Sequence, residues 1–375
     1  MGYSAKEPLV VRLSERRRLS KGEGKEVCEL LLEADESIPY QCGDWLAVLA
    51  GNPSREVERL LGLFRADGEE LVTVRGEKIS LRQAFSERLS IGQVPRSLAE
   101  ALLPYCIEEK RKVLELNLVG DFATSVGGLS VADFLEIFMG KNVSPTPVLP
   151  ALKPLQPRLY SIASSPLLRP NGLRLVVTTS TYVASNGELR CGISSSYLNR
   201  RLAIGERLRC YPIRTHFRLP ENSMADVIMV GPGAGIAPFV GFLEQRWAER
   251  DGGKTIGRNW LFFGDRHRAT DFIFEEELAD YQRSGILNRL DLAFSRDQDQ
   301  KFYVQDRIRE RGEELSRWLT AGAHFYVCGD GKRMAKDVEV ALTEILMCHG
   351  GKIGPAAEET VAAMKRDRRY QLDVY

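Results

Sequence analysis

Residues 226–238 read DVIMVGPGAGIAP. Asp226 to Val230 is a short apolar run closed by a glycine-rich turn, and Pro238 stands where a helix begins. A short apolar run bounded by turn residues fits a strand buried on both faces. Proline suits the first helical turn, where its missing N–H costs nothing. Strand, glycine turn and helix is the repeating unit of an α/β sheet. Glycines at Gly233 and Gly235 let backbone N–H groups approach a pyrophosphate, and the helix N-terminus adds a favourable dipole. The spacing is not that of the GxGxxG fingerprint. Nucleotide loop and ordinary tight turn therefore both stay open.

Downstream the alternation continues. Strand-like Trp260 to Phe263, Leu290 to Phe294 and Phe325 to Cys328 are separated by helical segments around Phe274, Val304 and Met334–Leu346. This predicts a parallel, doubly wound sheet. Upstream the pattern differs. Leu9–Leu13, Val27–Leu32 and Trp45–Leu49 read as short strands between charged turns, which predicts an antiparallel sheet or barrel. From about 53 to 147 apolar residues recur at helical spacing, as in Val131–Phe138, and a proline-rich stretch from Pro145 to Pro157 ends that region. Strand-like segments resume to about 222.

Composition narrows the chemistry. The 52 basic and 51 acidic side chains leave a net charge of +1, so no global field draws the chain to nucleic acid or membrane. No apolar run approaches a membrane span, and cytoplasm is the expected location. Seven scattered cysteines without CxxC spacing and four histidines without ligand spacing argue against a disulfide framework, a metal site or an iron–sulfur cluster. Redox chemistry would need an organic cofactor. The basic stretch 14–25, SERRRLSKGEGK, reads as a solvated hairpin or as a docking patch for an acidic partner.

Five more segments bear on chemistry. In Arg158-Leu-Tyr-Ser-Ile-Ala-Ser-Ser165, Arg158 suits a phosphate, Tyr160 a planar ring and Ser161 a ring edge. Alternation puts Ser161 on the opposite strand face from Arg158 and Tyr160, and a polar barrel strand is the bland alternative. Gly192-Ile193-Ser194-Ser195 leads into an apolar helix, as a phosphate-binding N-terminus or simply a good cap. Ser295, Arg296, Lys301 and Tyr303 follow a parallel strand and would surround a phosphate monoester, unless they form a charged surface loop. Cys328-Gly-Asp330 ends a strand where ligands of open α/β sheets bind, although a lone buried Cys is usually inert. The tail 368–375, RRYQLDVY, alternates like a short strand burying Leu372 and Val374 and finishes on Tyr375. It reads as a strand closing a sheet, or as a ring able to cover a flavin and move off it.

In this order the segments resemble the ferredoxin–NADP reductase-like half of the diflavin reductases, and among them the flavoprotein subunits of assimilatory NADPH–sulfite reductases. The resemblance covers residues 8–375, and Arg158–Ser165, Gly231–Pro238, Ser295–Gln305, Tyr326–Asp330 and Arg368–Tyr375 carry it. It implies an antiparallel β-barrel FAD-binding domain (1–52 and 148–222) with an inserted all-α connecting domain (53–147). An α/β parallel-sheet NADP(H)-binding domain (223–375) would follow. The cofactors implied are FAD and NADPH, with no metal. By resemblance, Arg158 and Gly192, Ile193, Ser194 and Ser195 hold the FAD pyrophosphate. Tyr160 and Tyr375 pack on the two flavin faces. Ser161, Cys328, Asp373 and Tyr375 serve the hydride-transfer site. Gly233, Ala234, Gly235, Arg266 and Asp330 meet the nicotinamide nucleotide, and Ser295, Arg296, Lys301, Tyr303 and Gln305 hold its 2′-phosphate.

Three departures accompany the resemblance. Ala234 stands where relatives commonly have Thr, removing one hydroxyl worth about 0.5–1.5 kcal/mol. Gly331-Lys332 follows Cys-Gly-Asp where a small residue and then Asn or Arg is frequent. The chain begins at the barrel, without the FMN-binding flavodoxin-like domain of the diflavin chains. The expectation is an electron acceptor on another polypeptide, unless the 375 residues belong to a longer protein. That acceptor would be an FMN or flavodoxin-like protein, a ferredoxin, or the haem and iron–sulfur subunit of a sulfite reductase. A free-standing NADPH–flavodoxin or ferredoxin reductase is the alternative, and a non-catalytic FAD-binding subunit a further one.

Overall fold

The computed structural model describes residues 2–140 and 144–375. In chain order its first strands are β1 (Leu9–Arg18), β2 (Val27–Glu33), β3 (Trp45–Val48), the hairpin β4 (Leu71–Val74) and β5 (Glu77–Ser80), and β6 (Arg158–Ser161). Next come β7 (Gly172–Thr178), the hairpin β8 (Thr181–Val183) and β9 (Leu189–Cys191), and β10 (Arg207–Ile213). The series closes with β11 (Val227–Val230), β12 (Asn259–Asp265), β13 (Arg289–Phe294), β14 (His324–Gly329) and β15 (Tyr370–Val374). Contacts divide the chain into two compact units. One is Met1–Ala47, Leu159–Thr178 and Ala203–Tyr375, and the other is Val48–Arg158 and Thr179–Leu202.

The first unit holds two sheets. The barrel-like sheet runs β6-β3-β10-β1-β2-β7, with β1 antiparallel to β2 and β10, and β2 antiparallel to β7. The start of β1 shows why the sequence pattern worked: Leu9, Val11 and Leu13 are buried and Val10 and Arg12 are exposed, the period of two of a half-buried strand. The strand then runs on through Arg18, past a register shift between Leu13 and Glu15. Residues 14–18 of the basic stretch are therefore part of β1, with Arg17 paired to Glu29 across the sheet at 2.8 Å.

The second sheet is parallel, in the order β13-β12-β11-β14-β15. Its inner strands are buried on both faces and read as apolar runs, whereas the edge strands β13 and β15 carry Asp291, Gln371 and Asp373. Val227 and Met229 of β11 pack with Phe239 and Phe242 on one face. Ile228 and Val230 pack with Val338 and Leu342 on the other. These helical residues lie on Ala237–Asp251 and Met334–Cys348. The antiparallel barrel-like sheet and the parallel five-stranded sheet together make the ferredoxin–NADP reductase-like architecture. Because β11 is central, the chain fills one side with β12 and β13 and then crosses to β14 and β15. In open α/β sheets ligands bind at such a reversal, in the crevice outside the carboxyl ends of the strands.

The second unit packs its helices on one apolar core, including Val57, Leu60, Leu61 and Phe64 of Ser54–Phe64 and Phe134 and Leu135 of Val131–Phe138. The latter helix starts at a capping box in which Ser130 and Asp133 satisfy each other's backbone N–H groups. Arg59 and Arg190 both reach the Asp133 carboxylate, at 3.0 and 2.7 Å. The hairpins β4/β5 and β8/β9 lie in this unit.

Candidate functional site

The tail is the most informative element of the site. The apolar residues of β15 were expected to be buried, yet the structure reverses the pattern: Leu372 is 41% and Val374 38% exposed, whereas Asp373 is 2% exposed. The reason is pairing. In the parallel ladder Asp373 stands opposite Cys328 of β14, turned into the protein. The Ser161 hydroxyl donates to Asp373 Oδ2 at 2.7 Å, and the Cys328 thiol points at the same oxygen from 3.6 Å. The Trp45 indole N–H donates to Oδ1 at 2.8 Å. A buried carboxylate is stable only when its oxygens are so occupied.

Burial pushes the Cys328 thiol well above its ordinary range, and the neighbouring Asp373 carboxylate pushes it further. The sulfur therefore stays protonated and acts as a donor. Beyond Asp373 the ladder continues, with Val374 opposite Gly329 and the Tyr375 N–H donating to Gly329 O at 3.1 Å, and Tyr375 is 71% exposed. A hydrogen-bonded cluster two residues from an exposed aromatic ring suits a flat, partly polar ring system.

The glycine-rich turn follows β11 as a tight turn over Gly233–Ile236 and runs into the helix Ala237–Asp251, with Pro238 in its first turn. A Cβ on Gly235 would lie 2.2 Å from Cys328 O, so the glycine turn and the end of β14 approach as closely as glycine allows. Gly233 has φ of 57°, and a Cβ there would sit 3.2 Å from Lys25 Nζ. Lys25 itself is ion-paired to Asp265 at the end of β12, at 2.7 Å. It belongs to the basic stretch read as solvated or partner-docking. The structure instead sets its ammonium beside the glycine loop, a contact no local spacing could reveal. Ala234, between these glycines, is partly exposed.

Past β13, the Ser295 backbone N–H donates to Asp265 O at 2.9 Å and the Arg296 N–H to Arg266 O at 2.9 Å. This ladder brings Arg266 and Arg296, both exposed, onto adjoining loops. Lys301 and Tyr303 are exposed, Tyr303 stands at the N-cap of Val304–Glu310, and the Gln305 amide lies 3.5 Å from Asp337. Asp330 is turned to another task. Its Oδ1 accepts from the backbone N–H groups of Arg333 and Lys332, which hold its carboxyl below the usual range, so it shapes the turn after β14.

Tyr160 and Ser161 lie in the first unit, and Arg158 and Gly192–Ser195 in the second. Arg158 is exposed. Gly192 caps the short helix Ile193–Ser196 without a side-chain hydrogen bond. Ser195 Oγ accepts from the Ser180 N–H at 3.1 Å and is donor to Gly192 O at 3.3 Å, so the serine closes the turn rather than capping the helix. Ile193 and Ser194 are partly exposed beside it. Among the described residues no helix is long and apolar enough to cross a membrane.

Comparison with known proteins gives these positions a family. Residues 2–197 match the family model for an FAD binding domain, and residues 229–340 match the one for an oxidoreductase NAD-binding domain. All 375 residues are covered by similarity to proteins named sulfite reductase [NADPH] flavoprotein alpha-component. Identity is 39% to those of Cronobacter sakazakii and Escherichia coli K12 and 38% to that of Photorhabdus laumondii. The chain spans 62% of the length of each of these relatives. The FAD model alone takes in more than half of the residues, and the chain belongs to the FAD binding domain family, with an oxidoreductase NAD-binding domain behind it.

Proposed function

We propose that this chain is an FAD-dependent NADPH reductase that delivers electrons to a separate acceptor protein of the sulfite reductase type. The observation that carries the reading is the convergence of Ser161 and Cys328 on Asp373 of β15, two residues before an exposed Tyr375. FAD, when bound, supplies acceptance of two electrons and their release one at a time. The chain's part is to bind, orient and screen. Arg158 and the turn Gly192–Ser195 hold the FAD pyrophosphate, while Tyr160 and Tyr375 cover ring faces. Ser161 and Cys328, whose protons Asp373 holds, line the hydride-transfer site, and Tyr375 moves aside for the nicotinamide.

On the nucleotide side, Gly233, Ala234 and Gly235 admit the pyrophosphate, and Lys25 supplies a cation next to them. Ser295, Arg296, Lys301, Tyr303 and Gln305 hold the 2′-phosphate, with Arg266 beside them, and Asp330 fixes the loop opposite. The proposed division is an FAD-binding barrel (1–52 and 148–222), a helical connecting region (53–147) and an NADP(H)-binding domain (223–375). The names of the relatives support an acceptor of the sulfite reductase class.

The test is an anaerobic titration of the FAD-loaded chain with NADPH, following flavin absorbance, with NADH as control. Bleaching near one equivalent of NADPH and little by NADH is the expected result. A bound flavin that NADPH leaves unbleached would overturn the proposal.

A further inference from the structure

Trp45 opens β3, and β6 lies beside β3 in the barrel-like sheet. The two segments are tied where the Ile162 N–H donates to Asp44 O at 3.0 Å. Trp45 and Ser161 therefore stand on neighbouring strands, and both reach the same carboxylate on β15. The indole N–H meets Asp373 Oδ1 at 2.8 Å and the serine hydroxyl meets Oδ2 at 2.7 Å. An aspartate carboxylate turns about a soft, roughly two-fold torsion, so a donor on one oxygen alone does not fix its plane. A second donor on the other oxygen does, and an indole carries its N–H on a rigid ring with no rotatable proton. With Oδ1 held, Oδ2 is left facing Ser161 and the Cys328 thiol together.

We propose that Trp45 is a positioning residue for the reductase reaction: its indole N–H locks the Asp373 carboxylate, which aligns Ser161 and Cys328. The inference rests on the functional reading above. Together with Ser161, Trp45 also ties the barrel-like sheet to an edge strand whose ladder partner is β14. Tyr375, two residues beyond Asp373, is left to move from a fixed base.

The test uses the FAD-loaded full chain labelled with 15N at its four tryptophans. Trp45→Phe identifies the Trp45 indole resonance by its loss. Asp373→Asn is expected to move that resonance upfield, as a charged acceptor becomes a neutral one, and to leave the other three in place. In stopped-flow mixing with NADPH, Trp45→Phe is expected to slow flavin bleaching about tenfold, the equivalent of one hydrogen bond. Half-saturation by NADPH should stay within about twofold, because uniform binding is untouched. Trp45→His keeps a ring N–H at nearly the same bonded distance from the backbone, and it should restore the rate to within about threefold of the native chain.

A Trp45 resonance indifferent to Asp373→Asn overturns the proposal, as does native-rate bleaching by Trp45→Phe or equal slowing by Phe and His. If Trp45→Phe does not fold, Trp45→His supplies the assignment and the Asp373→Asn comparison stands. A native flavin that NADPH leaves unbleached sinks the functional reading. That failure is distinguishable, because the indole response to Asp373→Asn reports on the contact alone.

Discussion

Asp373 collects an indole, a hydroxyl and a thiol on one buried carboxylate, and these groups are drawn from strands far apart in the chain. Two consequences follow for single side chains. The Cys328 thiol is 1% exposed and held protonated, so it should resist alkylation in the folded chain, whereas the exposed Cys348 should react first. Iodoacetamide labelling followed by peptide mass mapping checks this, and early modification of Cys328 would show that the site opens to solvent. Arg296 is exposed on the loop that its own N–H ties to Arg266. Arg296→Ala should weaken NADPH by about 1.5–3 kcal/mol, the worth of a charged hydrogen bond, and leave NADH nearly unchanged. Equal losses for both nucleotides would remove Arg296 from the 2′-phosphate site. Ser161, Cys328 and Asp373 were legible only through the family resemblance of their segments, and the structure brings the three together. Trp45 was not legible, since its partner lies 328 positions away and a strand-opening tryptophan looks like any barrel aromatic.

At the scale of elements, glycine separates packing from propensity. Gly235 lies in the loop that leaves β11, against the end of β14 where the next loop starts, and an added Cβ would meet Cys328 O at 2.2 Å. Gly235→Ala must push these loops apart, and overpacking of this kind costs about 1–3 kcal/mol. It should also weaken NADPH binding, since the crevice is built from the same two loops. Gly62 is the control. It lies inside the helix Ser54–Phe64 with open space around its Cα, and Gly62→Ala should stabilise the chain by about 0.5–1 kcal/mol. Urea denaturation of the two variants should move the midpoint in opposite directions, and a shared sign would show that the loop contact is not what glycine serves. The parallel strands were readable from apolar runs between glycine turns, because burial on both faces leaves that mark. The register of β15 was not readable. Alternation alone gives a choice between two faces, and the apolar residues Leu372 and Val374 argued for the one that the Asp373 hydrogen bonds override.

Across the first unit as a whole, cohesion of the two sheets depends on a buried ionic cluster that has no sequence signature. Arg174 of β7 is 7% exposed. It reaches Glu277 at 2.9 Å, Glu29 of β2 at 3.1 Å and Glu244 of the helix Ala237–Asp251 at 3.5 Å. The cluster thus joins the barrel-like sheet to helices that cover the parallel one. Arg174→Met would leave those three carboxylates without their shared cation, at a cost of about 3–5 kcal/mol. Glu244 behaves differently. Burial raises its carboxyl above the ordinary range, outweighing the opposing pull of Arg174, the Ser165 N–H and Arg169. An acid whose value is raised on folding prefers to fold protonated. It is neutral to stability at low pH and turns destabilising as pH rises through the interval between its unfolded and folded values. Glu244→Gln should therefore match the native chain in mild acid and gain on it toward neutral pH, while Arg174→Met loses most at neutral pH and least in acid. Urea unfolding of the three chains at pH 5 and pH 7.5 measures both slopes. A Glu244→Gln chain that is clearly less stable than the native one at pH 7.5 would mean that pairing with Arg174 outweighs the cost of burying the charge, and would reverse the sign assigned to this cluster.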